Sequence, residues 1–373
     1  MYSFVNKTIL EKKKIAFILP SLDAGGAERV VVTLANNLVQ HFEVTIITLY
    51  KCVPFYKLEK NINLDYCIEN YNPKPTALSS ITNHYKLFNC LRTKIKSHKI
   101  ELVISFMTTA NIYASVLTKL TKTPSIISER VHPKYSDISN KWSYIRRKVY
   151  PYASKLVIQT DDIRTYFKAF VPQKQLEIIR NPLSDDLIEK KDGSTLKENI
   201  ILNIGRLDYQ KNQDLLIKAF SEIDFNPWKL VLIGDGNLKD EYKALVEQLN
   251  LQDHVEFTGN ISDVSIYLNR ASIFVFTSRF EGYPNALTEA MYYGLPCIST
   301  DCTSGPSELI TNNENGFLFS VGDKKTLKEK LVQLMNDSNK RKELSENAME
   351  STKNLNSSII VEQWKNLINE VLN

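Results

Sequence analysis

Residues 280–291 read FEGYPNALTEAM, placing two carboxylates, Glu281 and Glu289, eight positions apart around a helix start. Pro284 has the backbone angle that a first helical turn requires, and Gly282 lets another backbone come close. Glu281 falls just ahead of that helix and Glu289 inside it. At such a start the amides near Ala286 and Leu287 have no carbonyl of their own helix to bond, so they suit an anion. The flanking carboxylates suit hydroxyl groups. A ligand that carries both phosphates and hydroxyls is a nucleotide sugar. Upstream, GRLDYQKN (205–212) places Arg206 and Lys211 on the loop after an apolar run. Arg offers a planar fork and Lys a mobile point charge, a combination that fits a diphosphate. Further upstream, SLDAGGAERV (21–30) sets Gly25 and Gly26 between a run and a helix, where amides and helix dipole again favour anions. Each motif alone also fits something plainer: a capped surface helix, two solvated cations, a tight turn. The glycines fall short of the full GxGxxG fingerprint, so NAD binding is not supported.

The elements that must hold these loops follow from short apolar runs alternating with helical patterns, the mark of βαβ units and parallel sheets. Strands are predicted at IAFILP (15–20), VTIITL (44–49), LVISF (102–106), SIIS (125–128) and KLVIQ (155–159). A second series runs IILNIG (200–205), KLVLIG (229–234), VEFTG (255–259), IFVFTS (273–278) and CIST (297–300). The helix between the first two strands buries Val30, Val31, Leu34, Ala35 and Leu38; others fit 212–221, 237–250 and 284–293. Two series in tandem imply an α/β protein of two doubly wound, Rossmann-like domains facing each other across a cleft. The break is placed at Arg180-Asn181-Pro182, because the residue before proline resists helix. That gives domains 1–180 and 181–357, and 358–373 reads as a closing amphipathic helix.

At 373 residues, with 43% hydrophobic and 24% charged residues, the chain is an ordinary soluble composition with room for two cores. No stretch approaches the roughly 18 uninterrupted apolar residues of a membrane span. Lys12 to Lys14 precede only Ile15–Leu19 before Pro20, too short for a secretory leader. Five scattered cysteines without a CxxC pair argue against a disulfide framework or zinc site and fit a reducing cytoplasm. The net charge of +5 conceals an asymmetry. Up to Arg180 there are 27 Lys and Arg against 13 Asp and Glu; beyond it, 20 against 29. A basic half suits nucleic acid, anionic lipid or a phosphorylated substrate, although solvated faces give the same count.

Taken together, GGAE, GRLDYQKN, the Glu281–Glu289 spacing, GPSELI (305–310) and NGFLF (315–319) resemble glycosyltransferase family 4, retaining enzymes of the GT-B fold. The resemblance covers nearly the whole chain, with its motifs in the family's order. It implies that Gly25 and Gly26 approach a donor diphosphate held by Arg206 and Lys211. Glu281 would contact the donor sugar, with Gly282, Asn285, Ala286 and Leu287 beside it, and Glu289 the ribose. Asn260 and Ile261 would meet the base, and the closing helix would pack back on the N-terminal, acceptor-side domain. SFMTTANIYA (105–114) and IISERVHPKY (126–135) look most like bacterial enzymes that extend undecaprenyl-diphosphate-linked oligosaccharides, N-acetylgalactosaminyltransferases among them. Where several such enzymes carry EH, this chain has Glu129-Arg130, with its histidine displaced to His132. These three are the acceptor-side candidates, and His132 joins Glu281, Arg206 and Lys211 as a catalytic one.

The expected reaction is transfer of a hexose or N-acetylhexosamine, N-acetylgalactosamine favoured, from a UDP-sugar to a lipid-linked glycan. Arg206, Lys211 and the helix near Pro284 would stabilise departing UDP, and with no D-x-D triplet no metal or other cofactor is expected. Retention is implied by the family alone. KWSYIRRKVYPY (141–152) repeats Trp142, Ile145, Val149 and Tyr152 at helical spacing among Lys141, Arg146, Arg147 and Lys148. That pattern suits either a core-facing stripe or an anionic membrane surface on the inner face of the cytoplasmic membrane. Two other classes share features of the chain: a nucleotide-sugar epimerase or phosphorylase of similar fold, and a basic nucleic-acid-binding protein. Against the second, no basic cluster is interleaved with a nucleic-acid motif, so no nucleic-acid partner is expected.

Overall fold

The computed structural model describes residues 11–69, 77–135 and 138–373. Seven parallel strands form the first sheet: β1 (Lys14–Leu19), β2 (Glu43–Tyr50), β3 (Asn63–Ile68), β4 (Leu102–Phe106), β5 (Ser125–Ser128), β6 (Lys155–Ile158) and β7 (Leu176–Ile178). Six parallel strands form the second: β8 (Ile200–Ile204), β9 (Lys229–Ile233), β10 (Val255–Gly259), β11 (Ile273–Phe276), β12 (Cys297–Thr300) and β13 (Phe317–Phe319). The first sheet carries helices α1 (Gly26–Leu38), α2 (Ala77–Ser97), α3 (Thr108–Thr121), α4 (Asn140–Val149) and α5 (Asp161–Phe167), with α6 (Asp185–Glu189) beyond it. The second carries α7 (Gln213–Phe220), α8 (Lys239–Gln248), α9 (Ser265–Arg270), α10 (Asn285–Tyr292), α11 (Pro306–Leu309), α12 (Lys324–Asn336) and α13 (Ser338–Thr352), before the closing α14 (Ser357–Leu372).

Strand order is β3-β2-β1-β4-β5-β6-β7 in one sheet and β10-β9-β8-β11-β12-β13 in the other. Both orders reverse direction once, between β1 and β4 and between β8 and β11. Open α/β sheets bind ligands at such switch points, beyond the carboxyl ends of the strands. The loops after β1, β8 and β11 carry the motifs singled out above. Continuous apolar runs form these strands because helices cover both faces of a parallel sheet. Within β1, Ile15, Phe17 and Leu19 enter one core while Ala16 and Ile18 enter the core on the opposite face. Every predicted strand is present. The additional β3, β7 and β13 escaped periodicity for different reasons: β3 is a half-exposed edge strand, and the other two are three residues each.

Helix α14 leaves the second sheet and packs on the first. Its Ile360, Val361, Trp364, Leu367 and Ile368 join a core with Val30, Val31, Leu34, Ala35 and Leu38 of α1. Trp364 stacks on Phe106 at 5.8 Å between ring centroids. The chain therefore passes between the sheets twice. The two passages touch: the Leu183 amide donates to the Leu355 carbonyl at 3.0 Å. Asp185 accepts from Asn37 at 2.6 Å and from the Ser357 hydroxyl.

Candidate active site

The wall built by the second sheet starts with two loops laced together. The Arg279 amide donates to the Gln210 carbonyl (2.8 Å), Gln210 Nε2 to the Phe280 carbonyl (3.0 Å) and Thr277 Oγ1 to the Lys211 carbonyl (2.8 Å). That lacing carries Lys211 to Glu281, with Nζ 2.5 Å from Oε1 and both side chains largely buried. Lys211 also lies over the Phe276 ring, 4.9 Å from its centroid. A cation against a carboxylate and a ring face is rigidly placed and still offers donors to an incoming anion. Arg206 is different: its side chain is 69% exposed and folds onto Asp208, Nε to Oδ2 at 2.7 Å. Across the gap, burial raises the pKa of the Glu28 carboxyl, and a backbone hydrogen bond and Arg206 oppose that rise.

Helix α10 begins at Asn285, with Pro284 as its cap, one position earlier than a Pro inside the first turn. Among the described residues, the amides of Ala286 and Leu287 donate to no acceptor in the protein. Glu281 stands ahead of this helix end, and Glu289, 4% exposed, projects from within the helix. Asn260 is exposed, and Ile261 packs half-buried beside the β9–β11 face.

The wall built by the first sheet closes against this one. Asn285 Nδ2 reaches the Gly26 carbonyl at 3.5 Å, and a Cβ on Gly26 would stand 2.8 Å from that same nitrogen. A Cβ on Gly282 would lie 2.3 Å from the Arg130 carbonyl oxygen, so only glycine permits the loops to meet. Tyr135 stacks on Phe280 at 4.6 Å, its hydroxyl 3.2 Å from Thr303 Oγ1. Thr160 and Ser304 hydroxyls bond at 2.7 Å. Arg29 pairs with Glu289.

The acceptor-side candidates are placed in three ways. Glu129 is not in the cleft. It is 2% exposed, accepts from the Tyr150 hydroxyl and from Thr108 (3.1 Å), and burial raises its pKa against the pull of nearby Arg146. Arg130 lies over the Phe106 ring at 4.4 Å and donates to Asn181, which in turn donates to Asn285 Oδ1 at 2.7 Å. Its Nε and Nη2 are buried with no partner among the described residues, and burial lowers its pKa to about 9. His132 is no surface residue: it is 1% exposed, with Nε2 2.9 Å from Asp162 and Nδ1 accepting from the Lys134 amide at 3.2 Å. Burial lowers its pKa, and Asp162 opposes that shift.

Helix α4 also differs from the expected basic face. Arg146 is buried, bonding the Tyr166 hydroxyl at 2.9 Å, and Trp142 and Val149 pack against the core. Tyr144, Ile145 and Tyr152 stay exposed among Lys141, Arg147 and Lys148. Among the described residues, no helix is long and apolar enough to cross a membrane.

Two parallel-sheet domains with ligand-facing loops at both switch points define the GT-B architecture of glycosyltransferases. Residues 24–187 match the family model described as Glycosyltransferase Family 4, and 184–351 that described as Glycosyl transferases group 1. Over 366 residues, 96% of this chain and 99% of the relative, it is 36% identical to a Campylobacter jejuni enzyme. That relative is named GalNAc-alpha-(1->4)-GalNAc-alpha-(1->3)-diNAcBac-PP-undecaprenol alpha-1,4-N-acetyl-D-galactosaminyltransferase. A second C. jejuni enzyme, an N-acetylgalactosamine-N,N'-diacetylbacillosaminyl-diphospho-undecaprenol 4-alpha-N-acetylgalactosaminyltransferase, is 30% identical over 88% of this chain and 92% of its own. The solved structure of Anabaena HepE in complex with UDP superposes with a TM-score of 0.78 over 96% of this chain and all of that one, at 18% identity. The chain belongs to glycosyltransferase family 4 and is a glycosyltransferase.

Proposed function

We propose that this glycosyltransferase moves an N-acetylhexosamine, N-acetylgalactosamine in first place, from a UDP-sugar to a polyprenyl-diphosphate-linked glycan with retention at the anomeric carbon. The observation that carries the reading is the Lys211–Glu281 pair at the head of α10, beside the unpaired amides of Ala286 and Leu287. As the bond from sugar to β-phosphate breaks, charge grows on the departing UDP. Fixed amides, Lys211 and the exposed Arg206 would meet it, which lowers the barrier because oriented donors need little reorganisation. Glu281, held by Lys211, accepts from the sugar's hydroxyls. These cations would carry the diphosphate's charge without a bound metal. Residues 1–180 would serve the acceptor and 181–357 the donor.

The acceptor class is supported by what the C. jejuni relatives are named for, and by the exposed Tyr144, Ile145 and Tyr152 among Lys141, Arg147 and Lys148. Aromatic and basic side chains on one exposed face suit the surface of an anionic leaflet. The enzyme would then work peripherally, on the inner face of the cytoplasmic membrane.

A panel of UDP-sugars scored for slow hydrolysis to UDP, without acceptor and with EDTA present, tests the donor. UDP-N-acetylgalactosamine is expected to be consumed fastest, and UDP release from no member of the panel overturns the reading. Vesicles test the surface. The protein is expected to float with anionic lipid at low salt and to be released at high salt, since polybasic attraction is about 1 kcal/mol per residue. Glu at Lys141, Arg147 and Lys148 should reduce flotation and spare UDP binding.

A further inference from the structure

Glu289 is held from the opposite domain. Its Oε1 accepts from Arg29 Nη2, and among the described residues no other group donates to either carboxylate oxygen. Arg29 lies in the first turn of α1, directly after the Gly25–Gly26 turn, and its own amide bonds the Gly25 carbonyl at 3.1 Å. The Glu289 side chain is 6% exposed and that of Arg29 22%, so the carboxylate is nearly buried and its partner largely so. A carboxylate bonded by a guanidinium in that setting keeps one orientation. It has about four lone-pair sites, and one guanidinium nitrogen takes one of them. The remainder leave acceptor capacity for two vicinal hydroxyls on a carboxylate that α10 presents opposite the first turn of α1.

We propose that Arg29 is a positioning residue for the donor's ribose: it fixes Glu289 so that the remaining lone pairs receive the 2′- and 3′-hydroxyls of the nucleotide. The assignment rests on the nucleotide-sugar reading of α10. Because Arg29 belongs to the first domain and Glu289 to the second, the ribose subsite is complete only when the cleft is closed. Nucleotide recognition is thereby tied to domain closure through one ion pair. An Arg29 that instead competed with ribose for Glu289 would have the opposite signature.

Calorimetric titration of UDP and of 2′,3′-dideoxy-UDP into wild type, Arg29→Ala and Arg29→Lys separates the possibilities. Arg29→Ala is expected to weaken UDP binding about 10-fold, the scale of one charge-assisted contact, and to leave dideoxy-UDP unchanged. Arg29→Lys should recover part of that loss. In turnover, Arg29→Ala should raise the donor KM with kcat nearly constant. Tighter UDP binding by Arg29→Ala, equal binding, or the same loss for both nucleotides overturns the proposal. If Arg29→Ala does not fold, Arg29→Lys carries the same comparison between the two nucleotides. A wild type that binds no UDP at all overturns the donor reading beneath it, and this proposal with it.

Discussion

The two walls of the cleft use charged residues in opposite ways. On the second-sheet wall, Lys211 and Glu281 sit at the ends of two laced loops and present their pair to the opening, with the free amides of α10 beside them. On the first-sheet wall, Glu129 and His132 are turned inward, to Tyr150 and Asp162 of their own domain. The alternation of a strand explains why Glu129 and its neighbour Arg130 part ways. Ile127 of β5 enters the core on the α3 side, and Glu129, two residues on, keeps that direction into the same core. Ile126 enters the opposite core, and Arg130 keeps its direction to Phe106 and the cleft. Adjacent charges in one loop thus have different fates because the alternation of β5 carries on over the next two residues. A charged motif in a cleft loop is chemistry or scaffolding according to the face on which it leaves the sheet.

The contrast breaks most sharply at Glu281. Glu281→Gln should lower kcat by on the order of 10²-fold or more while UDP affinity stays close to wild type, measured by single-turnover kinetics and calorimetry. Turnover at the wild-type rate would remove the chemistry from the second-sheet wall. Next comes Lys211→Ala, expected to weaken UDP and UDP-sugar by about 1.5–3 kcal/mol and uridine hardly at all. Equal losses for uridine would put Lys211 away from the diphosphate. The smallest effect sharpens the first-sheet wall: Glu129→Ala should cost about 1–3 kcal/mol of stability by leaving the Tyr150 hydroxyl unpaired, with UDP affinity unchanged. Denaturant unfolding reads it. Intact stability with lost transfer to the acceptor would return Glu129 to the reaction.

What the sequence disclosed depends on how far apart the partners lie. The βαβ rhythm is local, so the strands flanking the site were legible, and with them the position of GRLDYQKN and FEGYPNALTEAM at strand ends. Asn181 was legible only as punctuation before Pro182. In the fold it bridges Arg130, 51 residues away, to Asn285, 104 residues away, and no local pattern encodes that. Arg29 stood in the motif SLDAGGAERV, yet its partner Glu289 is 260 residues on. The hint for Arg146 was weak as well: in α4 a single arginine among three basic neighbours is buried, and nothing in the spacing marks which. Long-range polar pairing, rather than apolar periodicity, is what sequence reading leaves behind.

The side-by-side passages of the chain between the domains have a mechanical consequence. Two rigid bodies joined by one flexible thread can slide, twist and swing. Joined by two straps that lie together, with Leu183 bonded to Leu355, they are left chiefly with rotation about the line through the straps. Contacts beside that line, such as Asn181 to Asn285, travel least for a given rotation, and the arc lengthens with distance from it. Any opening of the cleft must therefore flex both straps together, and α14, anchored by Trp364 on Phe106, ties the second of them to the first domain.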